Sequence, residues 1–201
     1  MIIFIYKAFL RIVRCISSFC DMIRTSIVLK GNGVKYSSFH TNGVPYIMVA
    51  RGGKMIIGKD FLMNNSVNGN PIGCYERCTF LVDRGCTLKI GDNVGVSQTS
   101  LVALANLTIG NNVKIGGGTC IYTSDFHSLD PVIRSSKDDM KHRNVASVII
   151  KDNVFVGAKC IILKGVTIGE NSIIGAGSVV TKSVSANEIW GGNPARFIRK
   201  L

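Results

Sequence analysis

The chain has 201 residues, with 24 Lys and Arg against 12 Asp and Glu, 22 glycines and only four prolines. This length accommodates one domain of ordinary size and excludes two full catalytic domains. The composition excludes a disordered chain, a coiled coil and collagen. The charge-free run at residues 1–6 is far too short to cross a bilayer, and Lys7 and Arg11 interrupt what a signal peptide would keep apolar.

The seven cysteines form neither a disulfide framework nor a zinc pattern. Their number is odd and their spacing is irregular, so we interpret them as reduced thiols in a cytoplasmic protein. Cys74, Cys78 and Cys86 lie close together in sequence, but no histidine accompanies them. Buried thiols are therefore the expected role of these three residues.

The first 24 residues have the pattern of an amphipathic helix, with apolar side chains every three or four positions and basic ones between them. The apolar positions are Ile5, Phe9, Ile12, Ile16, Phe19 and Ile23. Residues 1–54 carry eight Lys or Arg and one acid, so +7 of the total net charge of +12 lies there. Two interpretations stay open: a helix that caps the end of the fold, or one that attaches to an anionic membrane face.

From residue 55 onward the sequence repeats with a period of six. Aliphatic residues occupy the repeating position in three runs, often with glycine next: Ile90, Val96, Val102; Ile109, Ile115, Ile121; and Ile150, Val156, Ile162, Ile168, Ile174, Val180. A helix would spread this period around its circumference, whereas short strands joined by tight corners return the same position inward. The pattern predicts a parallel β-helix with three strands per coil, preceded by weaker coils near Ile57 and Met63.

With this repeat the chain resembles the hexapeptide-repeat acyltransferases over about residues 55–200. The resemblance implies an all-β fold, the left-handed parallel β-helix, and a homotrimer with active sites between subunits. The period alone does not give the handedness, since parallel crossovers are normally right-handed. We therefore divide the chain into a basic helix and lead-in at residues 1–54 and a β-helix at 55–201. A β-helix that acts only as a silent scaffold is the alternative.

The repeat stops after residue 121 and resumes at residue 150, which predicts a charged loop over 124–147. His127 lies at its start, and a neutral imidazole can accept a hydroxyl proton if its other nitrogen is oriented, here by Asp125 or Asp130. In the resembling sugar acetyltransferases the catalytic histidine starts this same loop, which implies a general base at His127. His40 and His142 receive no role.

The carboxyl-terminal strings resemble the acetyl-CoA site of the same family. Carried over by position, Ala176 would bind the pantetheine arm through its backbone, Thr181 and Lys182 would lie beside the phosphates, and Arg196 and Arg199 would hold the nucleotide. Arginine and lysine suit the phosphates of coenzyme A. The alternative is a solvated basic tail.

Three further positions are assigned by the same resemblance. Ala158 matches the residue whose N–H would stabilise the oxyanion formed from the thioester. Phe155 stands where many members have Trp and would pack against the pantetheine arm. Ser97 stands where several have an acceptor-binding Asn, and with Asp125 it is expected to contact the acceptor.

These observations predict an acetyl-CoA-dependent O-acetyltransferase. Its acceptor would be a sugar or glycan hydroxyl in capsule, exopolysaccharide or lipopolysaccharide synthesis. No metal is expected, because the three histidines do not cluster, and no nucleic-acid motif is present. The alternatives are N-acetylation of an amino sugar or other amine, and the silent scaffold. The expected location is the cytoplasm, with membrane contact through residues 1–24 under the second interpretation of the helix.

Overall fold

The computed structural model describes residues 1–201 and contains one long helix followed by three sheets of short strands. Helix α1 spans Ile2–Gly31, the one-turn helix α2 spans Pro131–Arg134, and a 3-10 turn lies at Asp139–Lys141. The first sheet contains β1 (Lys35–Tyr36), β4 (Lys54–Ile57), β7 (Thr87–Ile90), β10 (Leu107–Ile109), β13 (Val148–Ile150) and β16 (Thr167–Ile168).

The other two sheets run beside the first. The second contains β2 (Phe39–Asn42), β5 (Phe61–Asn64), β8 (Gly95–Ser97), β11 (Lys114–Ile115), β14 (Phe155–Val156), β17 (Ile173–Ile174), β19 (Glu188–Gly192) and β20 (Ala195–Lys200). The third contains β3 (Tyr46–Val49), β6 (Thr79–Val82), β9 (Ser100–Ala103), β12 (Cys120–Tyr122), β15 (Ile161–Ile162) and β18 (Val179–Val180).

Successive coils stack in parallel, which confirms the predicted β-helix. Ile90 pairs with Ile109, Ile109 with Ile150, and Ile150 with Ile168, so the repeating aliphatic positions form one inward column. The 34 buried apolar residues form a single core that runs through the coils. This continuous core gives the corners and loops a rigid support.

The coils begin earlier than the repeat indicated. β1 pairs with β4, β2 with β5 and β3 with β6, so residues 35–49 already form a full coil upstream of residue 55. Phe39 pairs with Phe61, which are 22 positions apart, and the next coil is longer still because residues 65–78 leave it between β5 and β6. A six-residue period is therefore invisible in this part of the sequence.

One corner also shifts the predicted register. Leu101 is fully buried and Val102 only partly, so Leu101 and not Val102 fills the inward position of β9. The cause is a shorter corner after Val96. Gln98, with φ of 43°, takes the left-handed position two residues after Val96, whereas Gly118 takes it three residues after Ile115.

Another corner is held by a ladder of asparagines. They have φ between 54° and 61° and pass side-chain amide hydrogen bonds from coil to coil: Asn93, Asn112, Asn153, Asn171 and Asn187. Asparagine tolerates the left-handed conformation and satisfies its neighbour's amide at the same time. The ladder fixes the coil spacing on the side of the β-helix where it lies.

The two ends of the β-helix are closed differently. The last turns of α1 cover the first coil: Leu29 is fully buried, Asn32 Oδ1 accepts the Val49 N–H at 3.1 Å, and Asp21 Oδ2 accepts the Gly43 N–H at 2.8 Å. At the other end β19 and β20 form an antiparallel hairpin, so the predicted basic tail is an ordered edge strand. No helix is both long enough and apolar enough to span a membrane.

Candidate active site

His127 is paired with an aspartate of its own loop. His127 Nδ1 lies 2.6 Å from Asp139 Oδ2, and the other carboxylate oxygen accepts the Ser128 N–H at 2.7 Å. The bond with His127, reinforced by the Ser128 N–H, holds the pKa of the Asp139 carboxyl below its usual value. A carboxylate at Nδ1 favours the tautomer with its proton there, which leaves the Nε2 lone pair free to accept a proton.

The His127 ring is open to its surroundings while its partner is covered. The side chain of His127 is 63% exposed and that of Asp139 only 14%. Nε2 makes no hydrogen bond within the chain. The arrangement presents a fixed imidazole edge, which is the geometry of a general base.

The carboxylates expected to orient His127 do not contact it. Asp125 pairs with Lys164, Oδ1 to Nζ 2.6 Å, and also accepts from Asn144 Nδ2 at 3.3 Å. Asp130 accepts the first N–H groups of α2, from Val132 and Ile133, as a helix cap. Because α2 turns the loop back, the orienting carboxylate comes twelve positions after the histidine.

The role of Asp139 does not follow directly from the sequence. One available signal is that Asp139, unlike Asp138, has no lysine or arginine three positions after it. Asp125 and Asp130 are nearer to His127 in sequence, but proximity along the chain does not predict contact in a loop with two helical turns. His142 follows the 3-10 turn and is exposed, and His40 lies exposed on β2. Neither contacts His127.

The loop is anchored at both ends by ion pairs and by packing. Besides the Asp125–Lys164 pair, Arg143 Nη2 lies 2.7 Å from Asp83 Oδ2, with both side chains largely covered. The rings of Tyr122 and Phe126 meet edge to face at 5.2 Å between centroids. Burial raises the pKa of the Tyr122 hydroxyl to about 12. These contacts fix the backbone immediately before His127.

Ser97 and Phe155 line one groove on the outer face of the second sheet. The Ser97 hydroxyl accepts hydrogen bonds from Asn64 Nδ2 at 3.1 Å and Asn70 Nδ2 at 2.9 Å, and Phe155 is about half exposed beside them. Lys114 also lines the groove. The structure thus brings together the residues predicted for acceptor and pantetheine contact, and adds two asparagines that the sequence did not indicate.

Free backbone donors lie at the corner after the second sheet. The N–H groups of Ala158 and Ala176 make no hydrogen bond within the chain, whereas the carbonyl of Ala158 accepts the Gly177 N–H at 2.8 Å. Glycine precedes Ala158 because the coils approach closely: a Cβ on Gly157 would lie 2.5 Å from the Ala176 nitrogen. The corner can therefore offer amide donors to a ligand.

The segment at residues 65–78 covers this corner on the amino-terminal side. Gln98 Nε2 donates to the Cys74 carbonyl at 2.9 Å, and a groove forms between the segment and the third sheet. The groove is lined by Cys74, Tyr75, Glu76, Gln98, Ser100, Gly118, Cys120 and Lys159. Sequence reasoning missed this segment because it interrupts coils that already lack the six-residue period.

The remaining predicted residues form an exposed basic surface near the carboxyl end. Thr181 and Lys182 follow β18, and Arg196 and Arg199 lie on the edge strand β20. Neither the lysine nor the two arginines form an ion pair, so their charges are available to an anion. Within one chain no hydrogen bond links them to His127. No group of three or more His, Cys, Asp or Glu is arranged to hold a metal ion.

The repeat can be compared with a known sequence family. Residues 147–182 match the family described as bacterial transferase hexapeptide (six repeats). The chain is thus similar to hexapeptide-repeat proteins in this segment, and its fold is the parallel β-helix that the sequence predicted.

Individual relatives are acyltransferases. A galactoside O-acetyltransferase of Lactococcus lactis is 37% identical over 102 residues, 51% of this chain and 47% of that protein. A 2,3,4,5-tetrahydropyridine-2,6-dicarboxylate N-acetyltransferase of Staphylococcus aureus is 34% identical over 93 residues, 46% of this chain and 33% of that protein. The chain thus spans half or less of the length of these two relatives.

A solved structure extends the similarity over most of the chain. The maltose O-acetyltransferase of Clostridium difficile 630 superposes with a TM-score of 0.53 at 28% identity, covering 88% of this chain and 74% of that one. The similarity therefore extends well beyond the segment that the family model matches.

Proposed function

We propose that the protein transfers an acetyl group from acetyl-CoA to a hydroxyl of a sugar or glycan. The observation that carries this proposal is the His127–Asp139 pair, 2.6 Å apart, with Nε2 exposed on a rigid scaffold. The relatives named for galactoside and maltose O-acetylation support the choice of a hydroxyl acceptor. Synthesis of capsule, exopolysaccharide or lipopolysaccharide is the setting that we propose.

The reaction is a direct transfer. His127 Nε2 takes the proton of the acceptor hydroxyl as its oxygen attacks the thioester carbonyl, while Asp139 stabilises the imidazolium. The free Ala158 N–H donates to the developing oxyanion. The C–S bond then breaks, and the proton on His127 passes to the departing thiolate of coenzyme A.

Other residues hold the two substrates. Ala176 N–H and the exposed ring of Phe155 suit the pantetheine arm, because one is an unused donor and the other an apolar surface. Thr181, Lys182, Arg196 and Arg199 supply a hydroxyl and unpaired charges for the phosphates. These features fit coenzyme A, which is the acyl donor in this proposal.

The acceptor lies near Ser97 in this proposal. The Ser97 hydroxyl uses its lone pairs to accept from Asn64 and Asn70, and its own proton remains available for a sugar oxygen. Asp125 was expected to contribute as well, but its carboxylate is engaged by Lys164 at 2.6 Å. We therefore assign it to holding the loop.

We infer a homotrimer in which one subunit's His127 faces the corner of its neighbour. His127 does not line the groove of Ser97 and Phe155 in its own chain, and its imidazole is 63% exposed. A neighbouring subunit would cover the ring and complete the site. Such a protein would work in the cytoplasm, beside the membrane where glycans are assembled.

The test is release of free thiol from acetyl-CoA over a panel of sugars, oligosaccharides and amino sugars. We expect turnover on a hydroxyl acceptor, and His127→Ala should lower kcat about a thousand-fold with coenzyme A binding retained. His142→Ala is the matched control, because it removes another exposed histidine of the same loop.

Three results would contradict the proposal. Turnover only on amines would favour N-acetylation, as in the Staphylococcus aureus relative. Unchanged turnover in His127→Ala would show that the base lies elsewhere. Binding of coenzyme A without turnover on any acceptor would favour the silent scaffold.

A further inference from the structure

Helix α1 has two faces, and the fold uses only one of them. Thr25 and Leu29 are fully buried against the first coil, with Met22 and Val28 packed beside them. At about 100° per residue, Thr25 and Leu29 lie roughly opposite the main apolar row of the helix. Capping of the β-helix therefore does not bury that row.

The uncovered row runs along the full length of α1. Its members are 47% to 80% exposed, and we call them the apolar stripe: Ile2, Ile5, Phe9, Ile12, Ile16, Phe19, Ile23 and Ile27. Even Ile23 and Ile27, in the turns that cap the first coil, remain exposed at 47% and 65%. A continuous exposed apolar surface of this length marks an interaction site.

The charge of α1 favours one kind of partner. Lys7, Arg11, Arg14, Arg24 and Lys30 face a single acid, Asp21, whose carboxylate already accepts the Gly43 N–H. Two such helices side by side would repel each other, whereas an anionic surface attracts them. Arg24 lies beside the stripe and Lys30 at its carboxyl-terminal end, whereas Lys7, Arg11 and Arg14 lie roughly opposite it. Because the helix is only roughly 10–12 Å wide and the Debye length is about 8–10 Å, these three charges still interact with an anionic surface beneath the stripe.

We propose that α1 lies in the plane of a membrane surface rich in anionic lipid, with the apolar stripe immersed at the level of the headgroups and acyl chains. The helix does not cross, because no segment is long and apolar enough. Its carboxyl-terminal turns fix it to the first coil, so the β-helix is held at the membrane by the helix that caps it. The inference is independent of the proposed acetyl transfer.

The test is flotation of the full-length protein with vesicles of phosphatidylcholine alone or mixed with phosphatidylglycerol. We expect binding to the anionic vesicles that weakens as salt is raised. Phe9→Gln combined with Ile16→Gln should lower the binding about a hundred-fold, because two large apolar side chains are lost from the stripe. Ile3→Gln combined with Ser17→Gln is the matched control, since both positions are exposed and face away from the stripe.

Light scattering without lipid separates the lipid from a second copy of the chain. If the stripe variant changes the oligomeric state and the control does not, the stripe packs against another subunit and the proposal is overturned. Absence of binding to anionic vesicles by the unaltered protein, or equal binding by both variants, also overturns it. An unchanged melting temperature of the variants excludes misfolding as the cause of lost flotation.

Discussion

The two segments that leave the coils are attached by different interactions. Residues 65–78 are held by neutral hydrogen bonds: Asn65 donates to Thr41 Oγ1 at 2.9 Å and accepts the Cys78 N–H at 3.0 Å. Residues 124–147 are held by charge, through the Asp125–Lys164 and Arg143–Asp83 pairs. Neutral bonds respond little to pH and salt, whereas partly covered ion pairs respond to both.

This difference matches what each segment brings to the site. The first segment supplies Asn70 to Ser97, a hydrogen-bonding role that does not require titration. The second supplies His127 and Asp139, which must exchange a proton and keep a carboxylate charged. The segment that carries His127 is thus attached to the coils by ion pairs, and the segment that carries Asn70 is attached by amide hydrogen bonds.

The largest effect is expected from the charged segment. Asp139→Asn should lower kcat about a hundred-fold and leave the KM for acetyl-CoA unchanged, because the amide cannot stabilise an imidazolium and can hold the wrong tautomer. Asp139→Glu keeps the carboxylate and should therefore retain more activity than Asp139→Asn. Steady-state kinetics of the two variants would measure kcat and KM.

The matched control is Asp138→Asn. Asp138 is the neighbouring acid and forms only an exposed pair with Lys141, Nζ to Oδ1 2.6 Å. If Asp138→Asn and Asp139→Asn have equal kinetics, Asp139 does not position His127. An equal fall in kcat in Asp139→Asn and Asp139→Glu, with a lower melting temperature in both, would indicate loop disorder in place of a lost carboxylate.

The regular coils were predictable because each position repeats its environment. Ile150, Val156 and Ile162 are all less than 1% exposed, as the six-residue period indicated. The six-residue period also located the start of the insertion before His127. A long gap in such a period indicates a loop that leaves the coils. The residue-by-residue resemblance then pointed to Phe155 and Ser97, which line one groove.

The remainder depended on contacts between segments without a period. Asp139 is twelve positions from His127, and Asn70 is 27 from Ser97, so neither pairing follows from spacing. The register at Leu101 depended on one missing residue in the corner at Gln98. Such features are set by how a segment folds back onto the coils, which a local pattern does not encode.

A moderate effect is expected from the neutral segment. Asn70→Ala removes one of the two donors to the Ser97 hydroxyl and should raise the KM for the acceptor about three- to ten-fold, the scale of one hydrogen bond. kcat and coenzyme A binding should stay close to normal. Asn68→Ala is the control, because Asn68 is exposed in the same segment and makes no side-chain hydrogen bond. Lower thermal stability with an unchanged KM would mean that Asn70 has only a structural role.

The smallest effect is a pH dependence of stability with opposite directions in the two segments. Burial raises the pKa of the Cys78 thiol, where residues 65–78 rejoin the coil, from 9.0 to about 11. Below pH 9 the thiol is protonated in the folded and the unfolded chain. Between 9 and 11 the unfolded chain loses the proton first, so the free energy of unfolding should fall as the pH rises.

The loop should respond at the acidic end instead. The pKa of Asp139 is lowered in the fold, so its stabilising bond is complete above the usual carboxyl value and is lost as the pH falls through the folded-state pKa.

Denaturant unfolding at pH 8 to 11 should show a shallower decline of the unfolding free energy in Cys78→Ala than in the unaltered chain. Part of the remaining slope is expected from Tyr122, whose pKa burial raises to about 12, and part from Cys86 and Cys160, whose pKa values burial also raises. Tyr122→Phe should therefore reduce the slope further. If the free energy of unfolding of Cys78→Ala falls with pH as steeply as that of the unaltered chain, the Cys78 thiol does not cause the pH dependence.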